Sequence, residues 1–166
     1  MTLSTGRWTL RLLLVTLAIT PVRRVTGWNR LIGFRRMLGL FAFFYATLHF
    51  MIYLAIDQFF DWETIVEDVT KRPFITAGFA AFVLLIPLAV TSTQGWIRRL
   101  GRRWRQLHRL IYAGAILAVI HFIWKVKSDL RDPLWYASIL GLLLGFRVVW
   151  WIATRQRRPA TVHGRA

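Results

Sequence analysis

The sequence contains no cysteine and only seven acidic residues among its 166 positions. The absence of cysteine excludes disulfides, thiolate metal sites, iron–sulfur clusters held by Cys and covalent c-type haem attachment. Five prolines and eleven glycines do not indicate a low-complexity chain. Any prosthetic group must therefore be held without a thioether link, through other side chains.

Apolar residues dominate the composition. They make up 56% of the chain, with nine Trp, twelve Phe and a mean hydropathy of +0.46. The length suits one domain, and a soluble domain of this size cannot bury so much apolar surface. The composition therefore predicts insertion into a membrane.

Five apolar runs are long enough to predict membrane helices. They span about Trp8–Val22, Met37–Ile56, Phe74–Thr91, Leu107–Trp124 and Leu134–Ala153. Pro21 closes the first run, Pro73 stands where the third helix would begin, and Pro87 predicts a kink within it. We therefore predict an all-α, polytopic membrane helix bundle with five transmembrane helices over residues 1–154, followed by a flexible basic tail, residues 155–166.

Basic and acidic residues are segregated along the chain. Arginines concentrate in residues 23–36, in residues 98–109 and in the tail, whereas all seven acidic residues lie in 57–72 and 125–133. The positive-inside rule places the three basic regions in the cytoplasm, and the acidic loops and the N-terminus outside. The net charge of +16 therefore indicates contact with anionic lipid rather than with nucleic acid. In loop 57–72, the segment WETIVEDV predicts a short helix at the membrane interface.

Three histidines lie in or beside the apolar runs. An ionisable side chain inside a bilayer is a functional-site hypothesis by default, and imidazole is the usual nitrogen ligand of haem iron. At 1.5 Å per residue, His49 lies about 18 Å above the start of its run and His121 about 20 Å above His108. His49 and His121 are therefore predicted at one level in the outer half. His108 is predicted at the cytoplasmic edge, beside Arg35.

Small residues accompany the histidines. One stripe carries Arg35, Gly39, Ala42, Ala46, His49 and Tyr53, and a second carries Gly114, Ala118 and His121. Small residues permit either close approach of a flat macrocycle or tight helix packing in lipid. The stripes alone favour packing, but histidines at one level on both of them favour haem.

His108 does not share the face of His121 on an ideal helix, because thirteen residues at 100° each leave them about 140° apart. Either His108 belongs to an irregular first turn, or the helix is distorted near Gly114. The alternative for His108 is a histidine at the membrane surface.

Two arginines lie within apolar runs. Arg11 near the outer level and Arg147 near the inner level either pair with a haem propionate or extend to the lipid head groups. His163, in the polar tail, is predicted to be solvated.

Several segments resemble a known family. They are RRMLGLFAFFYATLHFMIY, KRPFITAGF, LAVTSTQ and LGRRWRQLHRLIYAGAILAVIHFIWKVK. From about Thr5 to Arg147 the chain resembles the haem-binding membrane subunits of bacterial periplasmic protein-methionine-sulfoxide reductase systems, the MsrQ or YedZ family. This family belongs to the ferric reductase-like transmembrane group, which includes NADPH oxidases.

The resemblance implies a multi-pass inner-membrane electron carrier with one or two b-type haems and with FMN as an associated cofactor. Electrons would come from the quinone pool or a cytosolic flavin reductase. They would pass to a periplasmic molybdopterin-containing subunit that reduces methionine sulfoxide. By position, His49 and His121 would ligate the outer haem, and His108 the inner one with Arg35 beside it. Relatives commonly have a further span before TGRWTLRLLL, which bears on any FMN or quinone contact that needs that span.

Two axial imidazoles leave no open position at the iron, which suits electron transfer rather than catalysis at the metal. We therefore predict an electron-transfer subunit that docks its catalytic partner on the outer loops, especially 57–72. One alternative is a stand-alone ferric or quinone reductase, although the chain contains no flavin or nicotinamide domain to supply it. The other is a non-redox membrane scaffold or small transporter whose histidines are packed or relay protons.

Overall fold

The computed structural model describes residues 2–126 and 129–156, and most of them are helical. The helices are α1 (Thr2–Thr26), α2 (Leu31–Ile52), α3 (Trp62–Lys71), α4 (Pro73–Val90), α5 (Gln94–Leu100), α6 (Arg102–Leu107), α7 (Leu110–Lys125) and α8 (Arg131–Gln156). A π-helical turn, Tyr53–Asp57, extends α2. The described residues contain no strand, so the predicted all-α class is confirmed. His163 lies outside the described residues, as do residues 157–166 of the predicted tail.

Four segments of the described chain are long and apolar enough to cross a membrane. They are Leu31–Asp57, Pro73–Val90, Arg102–Lys125 and Arg131–Gln156. Helix α1 has a similar length but contains four arginines. Its leucines at 13 and 17 are nevertheless completely buried. The chain is therefore a multi-pass membrane protein in which α1, the least apolar long helix, packs at the centre.

Helices α1 and α2 form an antiparallel pair. Gly6 of α1 lies against His49, and Gly39 of α2 lies against Thr16, so positions increase along one helix as they decrease along the other. The turn between the helices uses Gly27 at φ +76°, a left-handed conformation that glycine adopts without strain.

Helices α4 and α7 form a second antiparallel pair. Gly78 lies against His121, and Gly114 lies against Leu85. Helix α8 packs on α1 and α7 and contributes Leu140 to the core. The two pairs meet through a shared core made mostly of small and aliphatic side chains. Its members are Leu10, Leu13, Leu14, Leu17, Ala42, Ala46, Leu85, Leu88, Ile111, Ala115, Val119, Phe122 and Leu140.

The predicted fourth helix is interrupted near its arginine-rich end. Helix α6 ends at Leu107 and α7 begins at Leu110. Between them, the backbone N–H of His108 still bonds to the Trp104 carbonyl, and Arg109 then closes a turn. Of the two predicted alternatives, the structure shows the irregular first turn, and α7 continues through Gly114 without distortion or interruption.

The prediction that the first helix closes at Pro21 is wrong, because α1 continues through Pro21 to Thr26. Proline has no N–H and leaves the carbonyl four residues earlier without its helical partner. That carbonyl belongs to Leu17, and it accepts a hydrogen bond of 2.8 Å from Nη2 of Arg147 on α8. A side chain from a neighbouring helix therefore replaces the missing backbone bond, as membrane helices allow.

The outer loop contains the predicted short helix. The Asp61 carboxylate caps the N-terminus of α3 by accepting hydrogen bonds from the backbone N–H groups of Glu63 and Thr64 and from the Thr64 hydroxyl. The bonds from Thr64 and Glu63 lower the pKa of the Asp61 carboxyl. Pro73 occupies the first turn of α4, as predicted.

Candidate functional site

A cavity of about 740 Å³ lies between the α1/α2 pair and the α4/α7 pair, with α3 forming part of its outer wall. Cofactor and small-molecule pockets in proteins occupy roughly 300–1,000 Å³, so the volume is sufficient for a prosthetic group. The wall is mostly apolar, and His49 and His121 both contribute to it.

His49 of α2 and His121 of α7 face each other across this space. Their ring centres are 6.1 Å apart, and the ring planes meet at 75°. Two imidazoles on opposite sides of one metal ion would have ring centres about 6 Å apart, because metal–imidazole bonds are about 2 Å long and each nitrogen lies about 1 Å from its ring centre. The observed separation therefore fits two ligands sharing one metal, and the predicted common level agrees with the structure.

His121 is held in the tautomer that a metal ligand needs. Its Nδ1 lies 2.6 Å from the Phe74 carbonyl oxygen, which can only accept, so Nδ1 carries the proton. Nε2 then keeps its lone pair for a metal. Gly78 makes the position possible, because a Cβ there would lie 2.7 Å from Nδ1. Any side chain at residue 78 would displace the ring.

His49 has a similar setting on the other helix pair. Its Nδ1 lies 3.3 Å from the Thr5 hydroxyl oxygen, and a Cβ at Gly6 would lie 3.2 Å from Cε1. Each histidine thus rests against a glycine of the helix with which its own helix pairs. The sequence analysis missed Gly6 and Gly78, because only the register between helices reveals them.

Some small residues of the two predicted stripes line the cavity, and others allow close packing of helices. Ala46 and Ala118 line the cavity. Gly39 instead faces Thr16, and Gly114 faces α4, so these two glycines serve helix packing.

Polar side chains organise the outer end of the cavity around a buried carboxylate. Asp68 of α3 is only 4% exposed. It accepts hydrogen bonds from the Tyr53 hydroxyl at 3.1 Å and from Nε2 of Gln58 at 2.6 Å, and it forms an ion pair with Nε of Arg72 at 3.1 Å. These contacts fasten α3 to the π-helical turn that follows His49. Such turns are frequent at functional sites.

Arg11 does not reach this cavity. Its Nε donates to the Tyr136 hydroxyl at 2.9 Å, and its guanidinium lies over the ring of Trp8. The residue is exposed, and it is absent from the cavity wall. The expectation that Arg11 could pair with an outer propionate therefore has no geometric support.

Among the described residues, the inner level contains His108 without a facing histidine, since His49 and His121 meet at the outer level. Its Nδ1 lies 3.1 Å from the Trp104 carbonyl oxygen, and its ring stacks on Trp104 with centres 3.9 Å apart. Within the described residues, the buried Nε2 has no hydrogen-bond partner. Arg35 is near enough to interact electrostatically with this ring.

Arg147 lies at the same inner level. It donates to the Tyr112 hydroxyl and to the Leu17 carbonyl, and Arg35 is again an electrostatic neighbour. Its Nε is buried and has no partner in the described part of the chain. The structure thus gives Arg147 a packing role and leaves one of its donors unused.

The ligand set favours a macrocyclic cofactor over a bare ion. Over residues 2–126 and 129–156, no three His, Asp or Glu side chains are grouped so that they could hold a metal ion. Protein sites for bare transition metals use three or four side chains. A haem macrocycle supplies its own in-plane nitrogens and needs only axial ligands, which two facing imidazoles can provide.

Comparison with known proteins agrees with this geometry. The family model described as ferric reductase like transmembrane component matches residues 5–119. The protein-methionine-sulfoxide reductase heme-binding subunit MsrQ of Xanthomonas campestris pv. campestris (strain 8004) is 58% identical over 159 residues, covering 96% of this chain and 72% of the relative. The chain belongs to the MsrQ family.

Other MsrQ proteins give the same result. MsrQ of Xanthomonas axonopodis pv. citri is 60% identical over 92% of this chain and 70% of its own length. MsrQ of Ralstonia nicotianae is 54% identical over 98% of this chain and 76% of its own length. No solved structure matches the chain significantly.

Proposed function

We propose that this chain is a b-type cytochrome subunit that carries electrons across the bacterial inner membrane to a periplasmic methionine-sulfoxide reductase. The observation that carries the proposal is the facing pair His49 and His121, 6.1 Å apart beside a cavity of about 740 Å³. The printed names of the MsrQ relatives, which describe heme-binding subunits of such a reductase, support it.

In this proposal, His49 and His121 are the axial ligands of a haem b at the outer level. A bound haem would supply a one-electron redox centre. The chain contributes orientation: the Phe74 carbonyl fixes the His121 tautomer, and Gly6 and Gly78 set the positions of the rings. Two histidine ligands would leave the iron no free position for substrate, so the reduction of substrate would take place in a partner.

The inner level is proposed to hold a second haem, with His108 as ligand and Arg35 and Arg147 as neighbouring cations. The buried Nε2 of His108 supports this assignment, because it makes no hydrogen bond of normal geometry to the described residues, although the Leu88 backbone lies close to the ring. FMN is proposed as a further cofactor on the family resemblance alone.

The distribution of charged residues supports an orientation of the subunit in the membrane. We propose a periplasmic N-terminus, a cytoplasmic C-terminus and α1 as a fifth span, because the arginine-rich segments then lie inside. The acidic outer loop with α3 would dock a molybdopterin-containing catalytic subunit. The donor on the cytoplasmic side would be the quinone pool or a flavin reductase.

An absorption spectrum of the purified protein, before and after dithionite, tests the cofactor. A sharp α band typical of low-spin b haem, with one or two haems per chain in a pyridine haemochrome assay, is the expected result. A colourless protein from haem-replete cells would instead support the alternative of a scaffold or transporter.

A second measurement tests the partner. The reduced subunit in detergent should stay reduced under anaerobic conditions until the catalytic subunit and an oxidised methionine substrate are both added. Rapid oxidation by ferric chelate or quinone, together with no response to the catalytic subunit, would favour the stand-alone reductase.

A further inference from the structure

Charged side chains of both signs lie at the outer end of the cavity. Five charged side chains line it: Arg7, Asp57, Asp68, Arg72 and Lys125. Asp68 and Arg72 neutralise each other in an ion pair. Arg7 and Lys125 are the remaining cations of this wall, and they come from different helix pairs.

Arg7 directs an unsatisfied donor toward the cavity region. It follows Gly6, the residue that touches the His49 ring. Its Nη2 forms an ion pair of 3.0 Å with Asp132 at the start of α8. Its Nε is buried and, among the described residues, has no hydrogen-bond partner. A buried N–H without an acceptor is unfavourable, so an acceptor is expected from a ligand.

Lys125 occupies the equivalent place on the other pair. It is the last residue of α7 and follows His121 by four positions, so both side chains lie on one helix face with the lysine one turn further out. It lines the cavity and has no salt bridge within the part of the chain that the structure describes. Each of the two histidines thus has a cation that lines the same cavity.

We propose that Arg7 and Lys125 bind the two propionate carboxylates of the outer haem, with Nε of Arg7 donating to one and Nζ of Lys125 to the other. Hydrogen bonds between a cation and a carboxylate are stronger than those between neutral groups. The haem edge that carries two propionates would therefore be bound best by two cations. This proposal rests on the proposed function. It also explains why Arg11, one turn further along α1, is not required.

The test loads haem-free protein with either haem or haem dimethyl ester, whose propionates carry no charge. The variants are Arg7→Gln and Lys125→Gln, which remove charge but keep polarity, and Arg7→Lys, which keeps charge. Asp132→Asn is the matched control because it breaks the same ion pair but leaves the Arg7 cation. Arg11→Gln controls for loss of charge on the same helix. The readouts are the midpoint potential and the rate of haem transfer to apomyoglobin.

With haem, each Gln variant should lose haem about three- to tenfold faster and shift the reduction equilibrium by about the same factor toward the oxidised form, or about 30–60 mV. Removal of a cation disfavours the extra electron, which sets the sign of the shift. Arg7→Lys should recover most of the potential, and both controls should resemble the wild-type protein. With the dimethyl ester, the Gln variants and the wild type should lose the macrocycle at the same rate, because no propionate charge is left for either cation to bind.

The ester arm separates a ligand role from a general structural role. If Arg7→Gln speeds the loss of haem and of the ester equally, or speeds neither, the proposal is overturned while the proposed function stays intact. If Asp132→Asn reproduces the full effect of Arg7→Gln, the ion pair rather than the propionate contact is responsible, and the proposal fails. If wild-type protein binds neither compound, the proposed function fails as well.

Discussion

The outer and inner ends of this bundle both contain membrane histidines, but they are built differently. At the outer end, His49 and His121 come from different helix pairs, meet at 6.1 Å and have their Nδ1 atoms engaged. At the inner end, His108 occupies an irregular turn and stacks on Trp104, and its buried Nε2 makes no hydrogen bond of normal geometry to the described residues. The two outer rings are thus held by contacts with other helices, whereas the described inner end has one histidine and nearby cations.

From this contrast we infer that the position of a membrane histidine ring depends on the neighbouring helix against which the ring packs. The outer rings rest on Gly6 and Gly78, so their positions are fixed by contacts with backbone. His108 rests on a tryptophan ring, which can move. We therefore expect the outer site to respond to small changes in helix packing and the inner site to respond mainly to loss of its own side chains.

The largest expected effect is the loss of a ligand. His49→Ala and His121→Ala should each strongly lower the content of the outer haem and convert any haem that remains to a high-spin spectrum, because one of its two iron ligands is lost. His108→Ala should leave the outer haem in place and remove only the inner one. Haem per chain by pyridine haemochrome, with low-temperature spectra to separate the two bands, measures both. Retention of full haem content in both outer variants would falsify the ligand assignment.

The next effect tests the glycines. Gly78→Ala would place a methyl group 2.7 Å from Nδ1 of His121, so the ring must move and its bond to Phe74 must break. We expect overpacking of about 1–3 kcal/mol and haem affinity lowered by tenfold or more. Gly6→Ala, at 3.2 Å from His49, should be milder.

Gly39→Ala is the matched control for the two glycine substitutions. Its new methyl would meet only Thr16, at 4.0 Å. It should leave haem binding unchanged, as judged by titration of haem-free protein. Equal haem affinity in Gly78→Ala and Gly39→Ala would show that the His121 ring is free to adjust.

At the inner end, Arg147→Gln should destabilise the protein by about 1–3 kcal/mol, because Leu17 loses the charged donor that replaces the N–H missing at Pro21. Pro21→Ala restores a backbone N–H at that position. In a Pro21→Ala background, Arg147→Gln should therefore lower the free energy of unfolding by less than it does in the wild-type protein. Unfolding in mixed micelles for all four proteins gives the coupling energy, and purely additive costs would contradict this explanation of α1.

A smaller effect concerns the cover of the outer cavity. Asp68→Asn removes the charge that holds Arg72 and weakens the bonds from Tyr53 and Gln58. We expect a loss of roughly 1–2 kcal/mol in local stability, seen as faster hydrogen exchange throughout α3. Glu67→Gln, which breaks only the exposed pair with Lys71, should change exchange very little. Equal exchange in the two variants would show that Asp68 does not fasten α3.

Local chemistry made several parts of this fold predictable. Four of the five apolar runs, the helix start at Pro73 and the α3 segment depend on composition and on neighbours within a few residues, and the structure agrees with them. The common level of His49 and His121 also followed from helical rise, because both helices start from arginine-rich segments on one side. The 140° mismatch of His108 correctly indicated an irregularity, and the structure places it at residues 108–109.

Other features depend on which helices are neighbours. By itself the sequence determined that this is a helical membrane protein with two histidines at one height, because length, hydropathy and rise per residue are properties of a single helix. Only the tertiary structure decided that Gly6 and Gly78 support those rings, that Arg7 rather than Arg11 faces the cavity, and that Arg147 bonds to the Leu17 carbonyl freed by Pro21. Each of these depends on the rotation and register of one helix against another, which are fixed by packing between residues far apart in the chain.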